Sequence, residues 1–548
     1  MSTAGRKARG AFFTPPALAS YVTAWAVRGR DDEVLEPSCG EAEFLLAAAR
    51  RLAGLGARRP GLTGHELHAP SARVARDRLA EAGFEAVIGV GDFFAEPPRP
   101  AFEVVIGNPP YVRYQDFQGA DRAAGLRAAL HAGVRLTGLA SSWAAFTVHA
   151  SLFLKPGGRL GLVLPAELLS VNYAADVRAF LLRRFGRVRL VMFTDRVFPG
   201  VLEEVVLLLA EGTGGTDHME VLQIGDLAAL SRLGGAAAPA TVWSPDAPRG
   251  KWTQALLPRQ ALDSARAVHA HAGVGTLAAW GETTLGAVTG RNSFFGLRPS
   301  EVRRWGIRPA DLLAISPPGS RHLRRLRFAR RDWDELATAD ERVWLLRPAA
   351  TLDLDPATAA YLVEGQRGGV DQAYKCRVRS PWWRVPVPPP ADLLLTCMNA
   401  DSPRFADNTA RVHHLNSVHG VYLHTGVSRA AAALLPLAAL SSLTGLGAEV
   451  VGRAYGGGLL KLEPREADAL PVPTPAAVES SADELRAVAP AADAALVGGD
   501  LTRAVALVDA ALLVRGLGLP PARVEHLQRG VLAMRARRTA RGRSQTRG

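Results

Sequence analysis

The sequence predicts an α/β protein: a doubly wound parallel sheet over roughly the first 212 residues, then a mixed α+β region, then a helical C-terminal segment. Three observations predict it. Short apolar runs alternate with helical spacings as far as Glu211, the pattern of strands joined by crossover helices. Gly-, Ala- and Pro-rich sequence follows up to Gly250, including Gly234-Gly235-Ala236-Ala237-Ala238-Pro239-Ala240, and reads as a domain boundary. Beyond it the apolar runs are short and irregular until helical spacing returns from Ser480 to Ala533. The expected division is therefore residues 1–245, 251–473 and 474–548.

The elements follow in order. Thr14-Pro15-Pro16 opens a helix, because Thr is a good N-cap and Pro is tolerated in a first turn. Leu18, Tyr21, Val22 and Trp25 continue it at i, i+3, i+4, i+7. Val34-Leu35 is a first strand, followed by a helix carrying Phe44, Leu45, Ala48 and Leu52. Further strand-like runs are Glu85–Val90, Phe102–Ile106, Arg159–Leu164, Val188–Phe193 and Glu204–Leu209. In such sheets ligands bind beyond the carboxyl ends of the strands, so the loops there should carry the chemistry.

Those loops are distinctive. The turn after the first strand runs from Glu36 through Pro37, Ser38, Cys39, Gly40, Glu41 and Ala42 into a helix. The second strand's loop holds His65-Glu66-Leu67, the third reads Gly91-Asp92-Phe93-Phe94, and the fourth strand ends in Asn108-Pro109-Pro110-Tyr111. Taken singly, the first three are ordinary turns. The fourth is not, because two consecutive prolines fix φ and supply no N–H. An Asn amide, a rigid carbonyl and an aromatic ring then form an acceptor-rich slot suited to a planar group bearing NH₂.

Charge narrows the partners. The chain carries 65 Lys+Arg against 52 Asp+Glu, a formal net charge of +13. Almost all of the cations are arginine, which suits phosphates and guanine edges, though a GC-rich coding sequence also enriches it. Three cysteines, Cys39, Cys376 and Cys397, cannot build a disulfide framework, so a reducing cytoplasm is expected. The N-terminus lacks a signal-peptide core, and no apolar run approaches membrane-spanning length. The residues two before the five lysines are Gly5, Phe153, Arg249, Ala373 and Leu459. The Asp/Glu-x-Lys triplet of the commonest Mg²⁺-dependent nuclease site is therefore absent.

Together the loops resemble the γ-class DNA adenine-N6 methyltransferases, TaqI-like enzymes found beside type II restriction endonucleases. The resemblance covers the first 212 residues or so. It continues more weakly through Val288-Thr289-Gly290-Arg291-Asn292 and Arg453–Pro473. It implies a Rossmann-like catalytic domain that takes S-adenosylmethionine and methylates a flipped-out adenine in duplex DNA. Thr14, Glu36, Ser38, Cys39, Gly40, Glu66, Asp92 and Phe93 are then the cofactor residues, with Glu66 on the ribose hydroxyls, Asp92 on the adenine amino group and Phe93 against its ring. Asn108, Pro109, Pro110 and Tyr111 form the catalytic loop, and Phe198 closes over the target base. The chain departs from the family pattern at Ala42, where a second Gly is usual, and at His65, where an apolar residue is usual.

Residues 251–473 are expected to read the DNA sequence. Arg321, Arg324, Arg325, Arg327, Arg330 and Arg331 form the densest cationic cluster, with a solvated helix face as the alternative. Tyr374–Arg384, including Lys375 and Arg377, interleaves cations with aromatics at strand-like spacing. His413, His414 and His419 lack nearby Cys or carboxylate at ligand spacing, so no metal is expected. The basic tail Arg535–Gly548 is expected to be disordered. A monomer, with a separately encoded endonuclease as functional partner, completes the reading. Two alternatives stay open: a methyltransferase for an RNA base or protein glutamine, and a non-catalytic DNA-binding subunit.

Overall fold

The computed structural model describes residues 14–194, 204–233, 240–349 and 354–542. The chain forms two compact units, Met1–Leu256 and Leu257–Gly548. Among the described residues no single helix is long and apolar enough to cross a membrane.

Unit 1 is built on a nine-stranded sheet. Its strands are β1 (Val34–Glu36), β2 (Leu62–Glu66), β3 (Val87–Val90), β4 (Phe102–Gly107), β5 (Leu154–Pro165), β6 (Arg187–Phe193), β7 (Val205–Glu211), β8 (Met219–Ile224) and β9 (Thr241–Trp243). The order is β3-β2-β1-β4-β5-β7-β6-β8-β9, and β3 to β5 run parallel. The order reverses between β1 and β4, which places a crevice at the carboxyl ends of those two strands. Helices α1 (Pro16–Ala26), α2 (Glu43–Gly54) and α3 (Ala69–Glu81) share one apolar layer with Val205, Leu207 and Leu209 of β7. The alternate residues Val206, Leu208 and Ala210 are equally buried, so both faces are covered and the strand reads as an unbroken apolar run.

The sheet departs from the all-parallel expectation at β7, which runs antiparallel to both β5 and β6. The connection from Phe193 to Val205 is shorter than the dozen or so residues a parallel crossover requires. Strand β9 is also antiparallel to its neighbour.

Unit 2 is mixed α+β. A four-stranded antiparallel sheet joins Gly281–Leu285, Val418–Leu423, Leu393–Thr396 and Phe405–Asp407, with smaller sheets beside it. Two expectations are corrected here. Tyr374–Arg384 is not a strand: Tyr374–Arg377 is a single helical turn, because Cys376 turns inward to full burial while its neighbours stay exposed. The basic tail is ordered as far as Gly542 within the long helix Pro521–Gly542. Arg538, 3% exposed, forks onto the Glu449 carboxylate with Nη2–Oε1 at 2.8 Å and Nε–Oε2 at 3.1 Å. The same guanidinium donates to the carbonyls of Ala400 and Gly458. Residues 543–548 lie outside the described set.

Unit 2 buries His414 and His419 and half-buries His322 and His413. Nδ1 of His413 meets the Pro388 carbonyl at 2.9 Å, and Nε2 of His419 meets that of Leu462 at 2.8 Å. Burial pushes His322 down from 6.5 to about 4, and burial together with the charges of His413 and His419 does the same to His414. These rings stay neutral in the fold while the unfolded chain takes up protons below about 6.5. Stability is therefore full above that value and falls as pH drops towards 4, by about 1.4 kcal/mol per pH unit for each ring. Calorimetry at pH 7.5 and pH 5.5 should show unit 2 melting earlier at the lower value. Equal melting temperatures would mean that the two rings titrate normally.

Candidate active site

The loops at the ends of β1 and β2 are tied together by backbone and side chain. After β1 the chain turns with Gly40 at φ +51° and Ala42 at φ +65°. Ala42 thus adopts the left-handed conformation that a glycine would take more easily, and its methyl group is fully buried. The Cys39 N–H donates to the His65 carbonyl at 2.8 Å, and the Cys39 side chain is buried, its thiol pushed up by that burial. Ser38 faces the cleft.

Glu36, expected at the cofactor, spends a carboxylate oxygen on the N–H of Leu45 at 3.1 Å, near the start of α2. Burial holds its carboxyl well above the ordinary range, against the lowering effect of that hydrogen bond, and the charges of Glu66 and Glu43 add to the rise. The Glu66 carboxylate accepts from Gly40 N and His68 N, both at 2.9 Å. It fastens the turn after β1 to the loop after β2. Asp92 accepts from Phe94 N at 3.0 Å.

Phe93 is a correction. Expected against a ligand's ring, it is 2% exposed and packed among Phe146, His149 and Phe153, with ring centroids 4.9–5.5 Å away. Phe94, half-buried against Phe146 at 4.8 Å, is the more accessible ring.

The Asn108–Tyr111 loop follows β4. The Asn108 amide nitrogen donates to Thr14 Oγ1 at 3.2 Å, which fixes which way the amide faces. The Tyr111 hydroxyl lies 2.7 Å from Asn108 Oδ1 and 2.9 Å from the Val163 carbonyl, so its one proton is shared between two acceptors. Ser142, buried at the start of the helix Ser142–Ser151, donates its hydroxyl to the Pro110 carbonyl and accepts from Val112 N at 2.9 Å. Its own N–H donates to the Val112 carbonyl at 3.0 Å. The Pro109 carbonyl has no partner among the described residues. Pro37, Ser38, Gly107, Asn108, Pro109, Phe146, Ala150 and Leu162 line a narrow cleft here.

Ser142 and Phe146 were not among the expected site residues. The signal for Ser142 was present, since Ser141-Ser142 before an apolar run marks a helix start. What its side chain grips depends on tertiary closure. Phe198 lies outside the described residues.

In unit 2 the arginine cluster divides. Arg330 and Arg331 pair with Asp334 and Glu335 along their own helix, both at 2.9 Å, and Arg327 reaches Asp407 at 3.6 Å. Arg321, Arg324 and Arg325 are exposed, with no acidic partner among the described residues. Lys375 and Arg377 are exposed as well.

Residues 1–223 match the family model described as N-6 DNA Methylase, and residues 249–513 match the model of the C-terminal domain of the type II methyltransferase M.Eco57I. The chain is 27% identical over 493 residues to the type II methyltransferase M.XamI of Xanthomonas campestris pv. amaranthicola, covering 85% of each. It is 22% identical over 475 residues to M.AccI of Acinetobacter calcoaceticus, covering 84% of each. The solved type IIG restriction endonuclease BpuSI aligns with 99% of this chain and 67% of its own, at 13% identity and TM-score 0.44.

Proposed function

We propose that the chain is a type II adenine-specific DNA methyltransferase of a restriction–modification system, as its similarity to the two family models and to M.XamI and M.AccI supports, and that it transfers a methyl group from S-adenosylmethionine to N6 of an adenine flipped out of duplex DNA. The order of cofactor loops, Asn-Pro-Pro-Tyr loop and recognition region supports the γ class. The observation that carries the reading is the acceptor pair at the end of β4. Asn108 Oδ1, its amide oriented by Thr14, sits one residue from the Pro109 carbonyl, which has no partner among the described residues.

Adenine N6 is a poor nucleophile because its lone pair is delocalised into the ring. Accepting one N6 hydrogen at Asn108 Oδ1 and the other at Pro109 O favours a tetrahedral nitrogen with a localised lone pair. The Asn108 oxygen has two lone pairs, so the Tyr111 hydroxyl and the base can share it. The acceptors stand where positive charge develops on N6, and their positions are fixed beforehand. The methylated nitrogen, positively charged and strongly acidic, then releases one of its two hydrogens as a proton to water, so the protein needs no general base for this step.

The loops after β1, β2 and β3 carry residues that fit the cofactor. The Glu66 carboxylate is already oriented by two backbone N–H groups, and Asp92 stands beyond the end of β3. Gly40 has no atom within 4 Å of where a side chain would begin. Leu67, beside Glu66, offers an apolar side chain 70% exposed. S-adenosylmethionine, when bound, supplies an electrophilic methyl group on its sulfonium. Unit 2 would read the DNA sequence, with Arg321, Arg324 and Arg325 on phosphates, and methylation would protect the site from a separately encoded endonuclease.

Modification-sensitive sequencing of DNA from a host lacking its own adenine methylation tests the reading. One recurring motif carrying N6-methyladenine is expected after expression of the chain. Unmodified DNA, or methyl groups only on RNA or protein, would overturn it.

Ser142 provides a finer test. Ser142→Ala leaves the Val112 N–H and Pro110 carbonyl without their partner and loosens the catalytic loop. Misplacement of about 1 Å costs up to roughly 10²-fold. Turnover should fall at least about tenfold with cofactor affinity unchanged, and Ser142→Thr should restore most of it. Turnover matching the parent chain in the alanine variant would show that the prolines alone hold the loop.

A further inference from the structure

Two large apolar side chains project from unit 2 one helical turn apart. Tyr374 is 65% exposed and Val378 63%. The turn Tyr374–Arg377, with Val378 at its end, places these two positions on one side. The segment beneath them is rigidly held. Cys376 is buried against Ala287, Phe295, Val370 and Leu415. The Arg379 guanidinium donates to the carbonyls of Thr289 and Val288. Gly290, at φ +88°, lies so close that a Cβ there would meet Lys375 Cβ at 3.0 Å. The exposed pair therefore needs no ordering before it meets a partner.

Cations surround the pair. Arg291, Lys375 and Arg377 are exposed and have no acidic partner among the described residues. Lys375 Nζ stands 5.6 Å from the Tyr374 ring centre. The acid nearby is Asp371, half-buried, with one oxygen accepting from Gln372 at 2.8 Å. A surface with two rigid apolar side chains among three uncompensated cations fits a partner that alternates anionic groups with apolar faces at close range. Duplex DNA does so, with phosphates flanking bases.

We infer that Tyr374 and Val378 form an apolar wedge that contacts bases in duplex DNA, while Arg291, Lys375 and Arg377 hold the flanking phosphates. This rests on the reading of the chain as a DNA methyltransferase. It adds a contact whose strength does not depend on salt to a surface otherwise expected to act by charge.

The test uses the full chain, a duplex containing the motif it methylates, and binding measured across a salt series. Tyr374→Ser with Val378→Ser should weaken binding about tenfold at every salt concentration, leaving the salt slope unchanged. Lys375→Gln with Arg377→Gln should flatten that slope by roughly 1.8, about 0.9 per phosphate. Tyr374→Phe should bind like the parent chain, since the ring and not the hydroxyl makes the contact. Undiminished affinity in the double serine variant, or loss confined to binding of anionic phospholipid vesicles, would overturn the wedge. If the parent chain methylates no DNA at all, the functional reading itself fails. If it methylates and the serine variant does so equally well, only the wedge fails.

Discussion

Asn108→Ala should lower methylation by about 10²–10³-fold, the usual cost of removing one preorganised hydrogen-bond partner from a reacting centre. The alanine methyl cannot accept from N6, which leaves the Pro109 carbonyl alone to draw out the lone pair. Cofactor affinity should stay within about twofold, because Glu66 and Asp92 are held by backbone groups that Asn108 does not touch. Asn108→Asp keeps an acceptor but loses the donor to Thr14, so an activity between the two is expected. Single-turnover transfer of a labelled methyl group, beside cofactor binding by calorimetry, separates these outcomes. Parent-like transfer by the alanine variant would move the chemistry elsewhere.

The largest effect on stability should come from Arg538→Ala. Arg538 and Glu449 are both almost wholly buried, with side chains 3% and 4% exposed. Removing one partner leaves a charge in a poorly solvated interior, which costs about 3–5 kcal/mol. For a unit of this size that lowers the melting temperature by roughly 10 °C. Replacing both, as Arg538→Met with Glu449→Leu, should recover much of the loss, because the apolar pair carries no desolvation penalty. Calorimetric scans of the full chain read both. An alanine variant melting within a degree of the parent would show that the pair contributes little.

Where the sequence was legible, the information was local. The loop at the end of β4 declares itself through two prolines, and the apolar runs located β1 and β3 to β7, while β2, with only Leu62 fully buried and apolar, was marked by its loop alone. The residues that misled are those whose surroundings come from far along the chain. Phe93 is buried because Phe146 and Phe153, more than 50 positions later, close over it. The direction of β7 follows from a short connection, which apolar spacing does not reveal. Tyr374–Arg379 alternates like a strand, yet the same letters also fit one helical turn with Cys376 inward. Arg535–Arg538 has the composition of a solvated tail, and a single buried acid 89 positions upstream reverses that reading.

The same distance sets the timetable of synthesis. The first long helix of unit 2, Arg259–His269, packs against the last, Pro521–Gly542, and Ser264 Oγ meets His526 Nδ1 at 2.9 Å across 262 positions. Ala261, Leu262, Ala265 and Val268 on that first helix are buried in the finished fold. While the ribosome adds the intervening residues, at about 5–20 per second, these side chains wait without their partner for roughly ten seconds to a minute. Unit 1 waits for a shorter stretch, because α1 meets β7 by Glu211 and the sheet is complete once Trp243 has emerged. Unit 2 is therefore where a holding chaperone gains time to act, and where a ribosome stalled late in translation would leave an apolar helix uncovered.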